Sequence, residues 1–356
     1  MNGADVNALD VFKSNIQKVI NGEQDKLVDY YSSVIKDGRG NICPVTVILP
    51  KLAMESKIKV EDSLIEQAKV VSDAEKELLV FEAFMELLEI KIGEAKDMLI
   101  ERFNWICSQS AASARFMYDN VTMSGYVPEE GIVSALKHGT VVIGQIGLAE
   151  TLQIIFGCNH TTDKGMEYAK KIEQLYKDKC AEYKKEYKLN FGVYYTPAES
   201  LCYTAMNKFV QQYGVIPNVS DREYFTNSIH VPVWENVNIF EKIDIESQLT
   251  GYSSAGCITY VELPASAKNN IDALEQIVNH SMNKDIPYFA INVPIDTCDG
   301  CHYTDEIGDT CPKCGGHIIK RLRRVTGYLS TTVEHFNLGK QAEVRDRVKH
   351  MCSCDA

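Results

Sequence analysis

Two Cys-x-x-Cys pairs, Cys298-Asp-Gly-Cys301 and Cys311-Pro-Lys-Cys314-Gly-Gly, stand nine residues apart. No other feature of the chain restricts its local fold so tightly. Tetrahedral Zn²⁺ takes four thiolates near 2.3 Å, and two such knuckles bring their sulfurs together with little backbone strain. Gly300, Gly315 and Gly316 suit the tight turns that the knuckles require. Four ligands fill the coordination shell, so Cys298, Cys301, Cys311 and Cys314 are expected to hold a structural zinc ion rather than a catalytic one. The other reading of these residues is four unrelated free thiols.

A zinc ribbon does not name a function, since many bind nucleic acid. Here the formal net charge is −12, which argues against a surface that binds phosphates without local compensation. The first residues, MNGADVNALDVFKS, contain no apolar segment after a basic one, so no signal peptide is read there. No apolar run approaches the ~20 residues of a membrane helix. The chain is read as cytoplasmic, with neither nucleic acid nor membrane as a partner. In a reducing compartment its twelve cysteines point to metal and to small core residues, not to a disulfide framework.

Upstream, strands and helices alternate. Residues 1–37 are polar with a helix-like apolar stripe, 37–41 (DGRGN) form a turn, and 43–50 (CPVTVILP) form a β-rich run ended by a proline. Residues 60–120 have the period of two long amphipathic helices. VVIGQIGL (141–148) reads as a buried strand leading into the helix AETLQIIFG, and residues 162–188 as a solvated helix. NFGVYYTPAESL is read as a strand, a turn at Thr196–Pro197 and a helix start. ITYVELP and YFAINVP are two more strands separated by a helix. This alternation predicts an α/β fold with a buried sheet. The character changes at residue 296, which gives three parts: an α/β part over 1–295, the ribbon over 296–320, and a tail over 321–356.

The tail opens with Arg-Arg-Val-Thr-Gly-Tyr-Leu-Ser, residues 323–330, a β-prone stretch interrupted by Gly327. An arbitrary glycine there would mark a turn or a close backbone approach. RVTGY, however, resembles the radical loop of the glycyl radical enzymes. The preceding four-cysteine ribbon is similar to that of the anaerobic ribonucleotide reductases and not to the formate-lyase branch. FNLGKQAEVRDRVKHM (336–351) resembles the end of those reductases. Further matching blocks lie at 37–55, 136–152, 191–201 and 214–231, so the resemblance covers residues 37–351 in the family's order.

The resemblance implies part of a ten-stranded α/β barrel followed by the zinc ribbon and a glycyl radical loop. It implies that Gly327 carries an organic radical made by a radical S-adenosylmethionine activase. A backbone radical at Cα is stabilised by planarity between an amide nitrogen and a carbonyl, and only glycine lacks a Cβ to oppose it. In the family, that radical generates a thiyl radical that takes the 3′-hydrogen of a ribonucleoside triphosphate, yielding deoxyribonucleotides for DNA synthesis. The thiyl cysteine of the family sits in a Gly-Cys-Arg-Ser/Thr stretch, and this sequence contains none. Cys43 is not read as its replacement. The chain is therefore expected to correspond to the C-terminal part of a reductase and to be inactive alone, with a separate N-terminal half as a partner and a homodimer as its assembly.

Other positions follow from the resemblance and keep a plainer alternative beside it. Asn41 matches a substrate-facing asparagine, or is a turn residue beside Gly40. Tyr195 and Glu199 flank a cleft-like junction, or are a strand tyrosine and a first-turn glutamate. Asn227, Ser228 and His230 suggest a pocket, or a turn; His230 is read as structural. Cys352 and Cys354 form a Cys-x-Cys pair suited to disulfide exchange, or part of a frayed tail. The alternatives for the whole chain are a zinc-ribbon binding module or inactive reductase remnant, and another glycyl radical lyase.

Overall fold

The computed structural model describes residues 40–350 apart from 121, 124 and 285. The helix expected over 1–37, most of the turn at 37–41 and the Cys352–Cys354 pair lie outside the described residues. The described residues divide into two units, one within 40–45, 96–143 and 178–192, the other within 46–95, 144–177 and 193–350. Three strands, β1 (Asn41–Ile48), β2 (Thr140–Ile146) and β3 (Asn190–Tyr194), form a sheet in the order β1-β2-β3, and the division cuts across each of them.

In the first unit the apolar residues Val141, Val142 and Ile143 of β2 are buried, as are Leu99 and Phe103. Arg102 donates to the Pro44 carbonyl at 3.0 Å, and Lys96 donates to the Tyr187 hydroxyl at 3.2 Å. Tyr183 packs edge-on against Phe191.

The second unit holds most of the helices. The proline expected to end the first strand instead opens a helix: α1 (Leu49–Glu66) has Pro50 in its first turn, where a missing N–H costs nothing. Its Leu49, Leu52 and Ala53 are buried, and it packs on α2 (Leu148–Phe156), which β2 enters through Gly147. Gly147 has φ +78°, and a Cβ there would lie 2.4 Å from Cγ of Pro50. Both facts demand glycine. Gly157, also left-handed at φ +67°, terminates α2.

Two longer helices, α3 (Asp73–Cys107) and α4 (Asp163–Tyr187), run through both units. Within the second unit, Phe156 and Tyr168 stack with centroids 4.0 Å apart, and Phe81 packs edge-on against Tyr168. The helix expected to be solvated, α4, thus buries a face that includes Met166, Ala169, Ile172 and Tyr176. Its lysines and glutamates hid that face in the sequence.

Next come α5 (Glu199–Tyr213), α6 (Ile239–Thr250) and a βαβ unit: β4 (Thr259–Glu262), α7 (Ile271–Asn283) and β5 (Phe289–Asn292), with β4 and β5 parallel. Asn238 and Glu241 close a reciprocal capping box on α6. Ile239, Ile243, Val261, Leu263, Ile277 and Ile286 make the core beneath.

The last sheet has the order β7-β6-β8-β9 and is antiparallel where its registers are given: β6 (Ile295–Cys298), β7 (Thr304–Asp305), β8 (Ile319–Val325) and β9 (Tyr328–Ser330). A final helix, α8 (Leu338–Asp346), is capped by the Asn337 side chain, which accepts from the Lys340 amide. The fold is mixed α/β, and among the described residues no helix is long and apolar enough to cross a membrane.

Candidate functional site

The four ribbon cysteines converge. Their sulfurs all lie within 4.8 Å of one another, with Cys298 and Cys314 at 3.5 Å and Cys301 and Cys311 at 3.6 Å. Four sulfurs around one tetrahedral zinc ion would sit roughly 3.8 Å apart, so the donor set and its spacing fit that metal. The knuckles form as the glycines suggest. The Cys311 amide donates to Gly316 O at 2.8 Å, and the Gly315 amide returns to Cys311 O at 2.9 Å with φ +73° at Gly315. The Cys301 and Gly300 amides draw the Cys298 thiol down to about 7. The Gly316 amide lowers Cys314, but the neighbouring Cys301 and Cys298 thiols push it up to about 12. One thiolate forms readily and its neighbours then hold their protons, so four thiolates together need a cation to balance their charge.

The ribbon is tied to the strand that follows it. Asp296 is fully buried on β6 and accepts from Arg323 at 2.6 Å, Arg321 at 3.1 Å and the Ile307 amide at 3.0 Å. A buried carboxylate needs such partners. The Cys298↔Ile319 pairing fixes the register of β8 directly from the metal knuckle.

That register ends in a two-residue hairpin. Val325 pairs with Tyr328, and Thr326 and Gly327 make the turn. In such turns glycine ordinarily takes the position with positive φ. Here Thr326 does, at φ +51°, and Gly327 lies outside the left-handed region. Nor does space demand glycine. Gly327 is exposed, and a Cβ would meet only Oε1 of Glu199 at 2.8 Å, the movable end of a side chain.

Glu199 opens α5, where the helix dipole favours a carboxylate. Its contact with the Tyr328 hydroxyl pushes that phenol above its usual range. The structure therefore brings Glu199, Tyr328 and Gly327 together. It does not bring Tyr195 to them. That side chain is buried, its hydroxyl donates to Leu249 O at 2.8 Å, and burial together with Glu173 raises it well above a free phenol. Asn41 belongs to the first unit, at the exposed start of β1.

Asn227 and Ser228 are buried and tether the loop before α5: Asn227 Oδ1 accepts from the Ala198 amide at 2.8 Å, and Ser228 donates to Thr196 O at 2.8 Å. His230 sits 3.4 Å from Glu246. Burial pushes Glu246 up, but Lys242 and His230 prevail and hold it below the usual carboxylate range.

Several partners had no sequence signal: Glu150, which accepts from the Thr226 amide and hydroxyl at 2.8 and 2.7 Å, the Lys242–Glu246 pair, and the Glu262–Arg347–Glu343 group. Acid and base four apart, as at 242/246 and 343/347, is the one trace, and such spacing usually marks a solvated face. A small cavity of about 40 Å³ lies among these charges, lined in part by Thr326, Tyr260, Glu262, Glu343, Arg347 and His350.

An α/β chain whose four-thiol ribbon runs straight into a glycine hairpin narrows the field to few classes. A family model described as anaerobic ribonucleoside-triphosphate reductase matches residues 13–350, and the chain belongs to that family. It is 34% identical over 331 residues to the anaerobic ribonucleoside-triphosphate reductase of Salmonella typhimurium, covering 89% of this chain and 43% of that protein. The bacteriophage T4 reductase is 33% identical over 333 residues, 90% of this chain and 51% of the relative. The chain thus spans about half or less of the length of the relatives it matches. Among solved structures, an anaerobic ribonucleotide reductase superposes with TM-score 0.62 at 21% identity, over 90% of this chain and 48% of that one. The Thermotoga maritima reductase with dATP bound in the specificity site gives TM-score 0.57 at 21% identity, over 84% and 44%. These two likenesses speak for the fold alone.

Proposed function

We propose that this chain is the radical-bearing portion of an anaerobic ribonucleotide reductase, with the radical stored on Gly327. The observation that carries this reading is that neither backbone conformation nor space explains a glycine at 327. What glycine alone supplies there is a Cα that can become planar with no Cβ in the way. In this reading the hairpin presents that Cα, and Tyr328 and Glu199 cover one side of it. Tyr195 supports the reaction only by bracing the loop before α5, and Asn41 faces the substrate.

Cys298, Cys301, Cys311 and Cys314 would hold zinc, which supplies charge balance and a rigid anchor for β8. The strands β1–β5 belong, on this reading, to a ten-stranded barrel, with the ribbon over 296–320 and the radical tail over 321–356. The activity is reduction of ribonucleoside triphosphates to their deoxy forms in the cytoplasm. A radical S-adenosylmethionine activase makes the radical, the upstream half supplies the thiyl cysteine, and the assembly is a homodimer. The Thermotoga maritima reductase has been seen with dATP and CTP, in keeping with nucleotides as ligands.

The test is anaerobic incubation of the zinc-loaded chain with such an activase, S-adenosylmethionine and a reductant, followed by electron paramagnetic resonance. The expected result is an organic doublet that Gly327→Ala removes. One zinc per chain and no radical, with the activase working on another substrate, would instead favour a zinc-ribbon binding module.

A further inference from the structure

Beyond α8, residues 347–350 stay against the fold. The Val348 amide donates to Val233 O at 2.9 Å, and the His350 amide to Glu262 O at 2.9 Å. The Glu262 amide in turn donates to His350 Nδ1 at 2.9 Å. Val348 is thereby strapped to Val233 and His350 to Glu262, the last residue of β4.

At the head of this strap stands Arg347, with its side chain only 12% exposed. Its guanidinium makes three directed contacts. One nitrogen, Nη1, lies 2.9 Å from Glu262 Oε1 and donates to the Arg324 carbonyl at 2.7 Å, while Nη2 donates to Glu343 Oε1 at 2.9 Å. The carbonyl is the informative partner. Arg324 is the penultimate residue of β8, and its own Nε donates to Thr326 O at 3.2 Å, on the residue before Gly327. A single cation therefore joins β4, α8 and the root of the glycine hairpin. Thr326, the turn residue at positive φ, looks into the cavity that Arg347, Glu262 and Glu343 also line.

A planar fork can serve a carbonyl and two carboxylates at fixed angles, which a point-charge ammonium cannot. We propose that Arg347 is the positioning residue of the glycine hairpin: it locks the end of β8 through the Arg324 carbonyl, so that the C-terminal strap sets where Gly327 is presented. The purpose assigned to the lock rests on the radical reading above; the lock itself does not.

Arg347→Lys in the full, zinc-loaded chain tests this, because it keeps the charge and removes the fork. Hydrogen exchange followed by mass spectrometry is expected to quicken about tenfold over residues 322–330 and 343–350, with no change over 199–213. Zinc content should be unchanged, and the radical yield after activation should fall at least about threefold. A purely structural arginine would be rescued by lysine in both readouts. Should Arg347→Lys fail to fold, Glu262→Gln keeps the fork and removes one partner, and is expected to give the same local pattern more weakly. Exchange over 322–330 within about twofold of the parent in either folded variant would overturn the proposal. Uniform loss of protection across the chain in both would also overturn it and assign Arg347 to general folding. If the parent forms no radical while Arg347→Lys still loosens 322–330, the lock stands and the radical reading fails.

Discussion

The corner where β2 enters α2 and the hairpin where β8 turns into β9 each hold a glycine, for different reasons. At the corner, Gly147 is left-handed and pressed against the Pro50 ring, among neighbours such as Leu148, Leu152 and Leu49 that are entirely buried. Apolar packing holds this region, and the packing dictates the residue. In the ribbon that leads to the hairpin, the buried cluster is only Cys298, Ile307 and Cys311, and polar contacts such as those of Arg321 and Arg323 with Asp296 add to it. There the geometry leaves residue 327 free to be something else. A glycine that the fold requires and one that it merely permits look alike in a sequence. Only the second points to chemistry.

Metal removal should separate the two regions most sharply. A structural zinc site contributes on the order of 10 kcal/mol to the order of its ribbon. Chelation, or Cys311→Ser, is expected to abolish protection over residues 296–325 in hydrogen exchange while the β2–α2 corner keeps its own. Equal loss in both would break the distinction.

The converse perturbation is Gly147→Ala. It adds a methyl at positive φ against a proline ring and should cost about 3 kcal/mol or more in denaturant unfolding, without displacing zinc.

Near that corner, the buried Glu173, paired with Gln145, is raised to about 7, burial being the cause. A folded value above the unfolded 4.5 means that its stabilising contribution is complete below about pH 4.5 and is lost as pH rises through 7. Glu173→Gln should erase that slope and stabilise the chain at pH 8 by an amount on the order of 3 kcal/mol. A mutant with the parent's pH profile would contradict it. His160, lowered by burial to about 4, acts in the opposite window, where stability is lost as pH falls below 6.5 toward 4.

The smallest effect belongs to the hairpin's surface. Tyr328 is 41% exposed, so Tyr328→Phe should change stability by less than about 1 kcal/mol. Any consequence should lie in radical lifetime, read from the decay of the resonance signal.

The local features were legible in the sequence. The Cys-x-x-Cys spacing and its glycines determine a knuckle within a few residues, and it is there. The βαβ unit at 259–292 and the strand–turn–helix at 190–213 could be read from hydrophobic period and from Thr196–Pro197. The Arg347 fork and the Glu150–Thr226 contact could not. Glu150 and Thr226 are 76 residues apart. The Arg324 carbonyl is 23 residues from Arg347 and is a backbone group with no side-chain signal, and ionisable residues are written the same way whether solvated or buried. The burial of α4 escaped for that reason too. Gly327 stood between these cases: its turn was legible, but that the turn assigns positive φ to Thr326 rather than to the glycine needed coordinates.

On the radical reading, residue 327 is glycine for its α-hydrogens and not for its conformation. That reading is tested most directly by activating chain labelled with α-deuterated glycine, with Gly327→Ala unfolded in parallel. The doublet of unlabelled chain should collapse to a single line. Gly327→Ala should give no signal yet unfold within about 1 kcal/mol of the parent. A doublet that survives deuteration, or a Gly327→Ala chain that loses several kcal/mol, would contradict it.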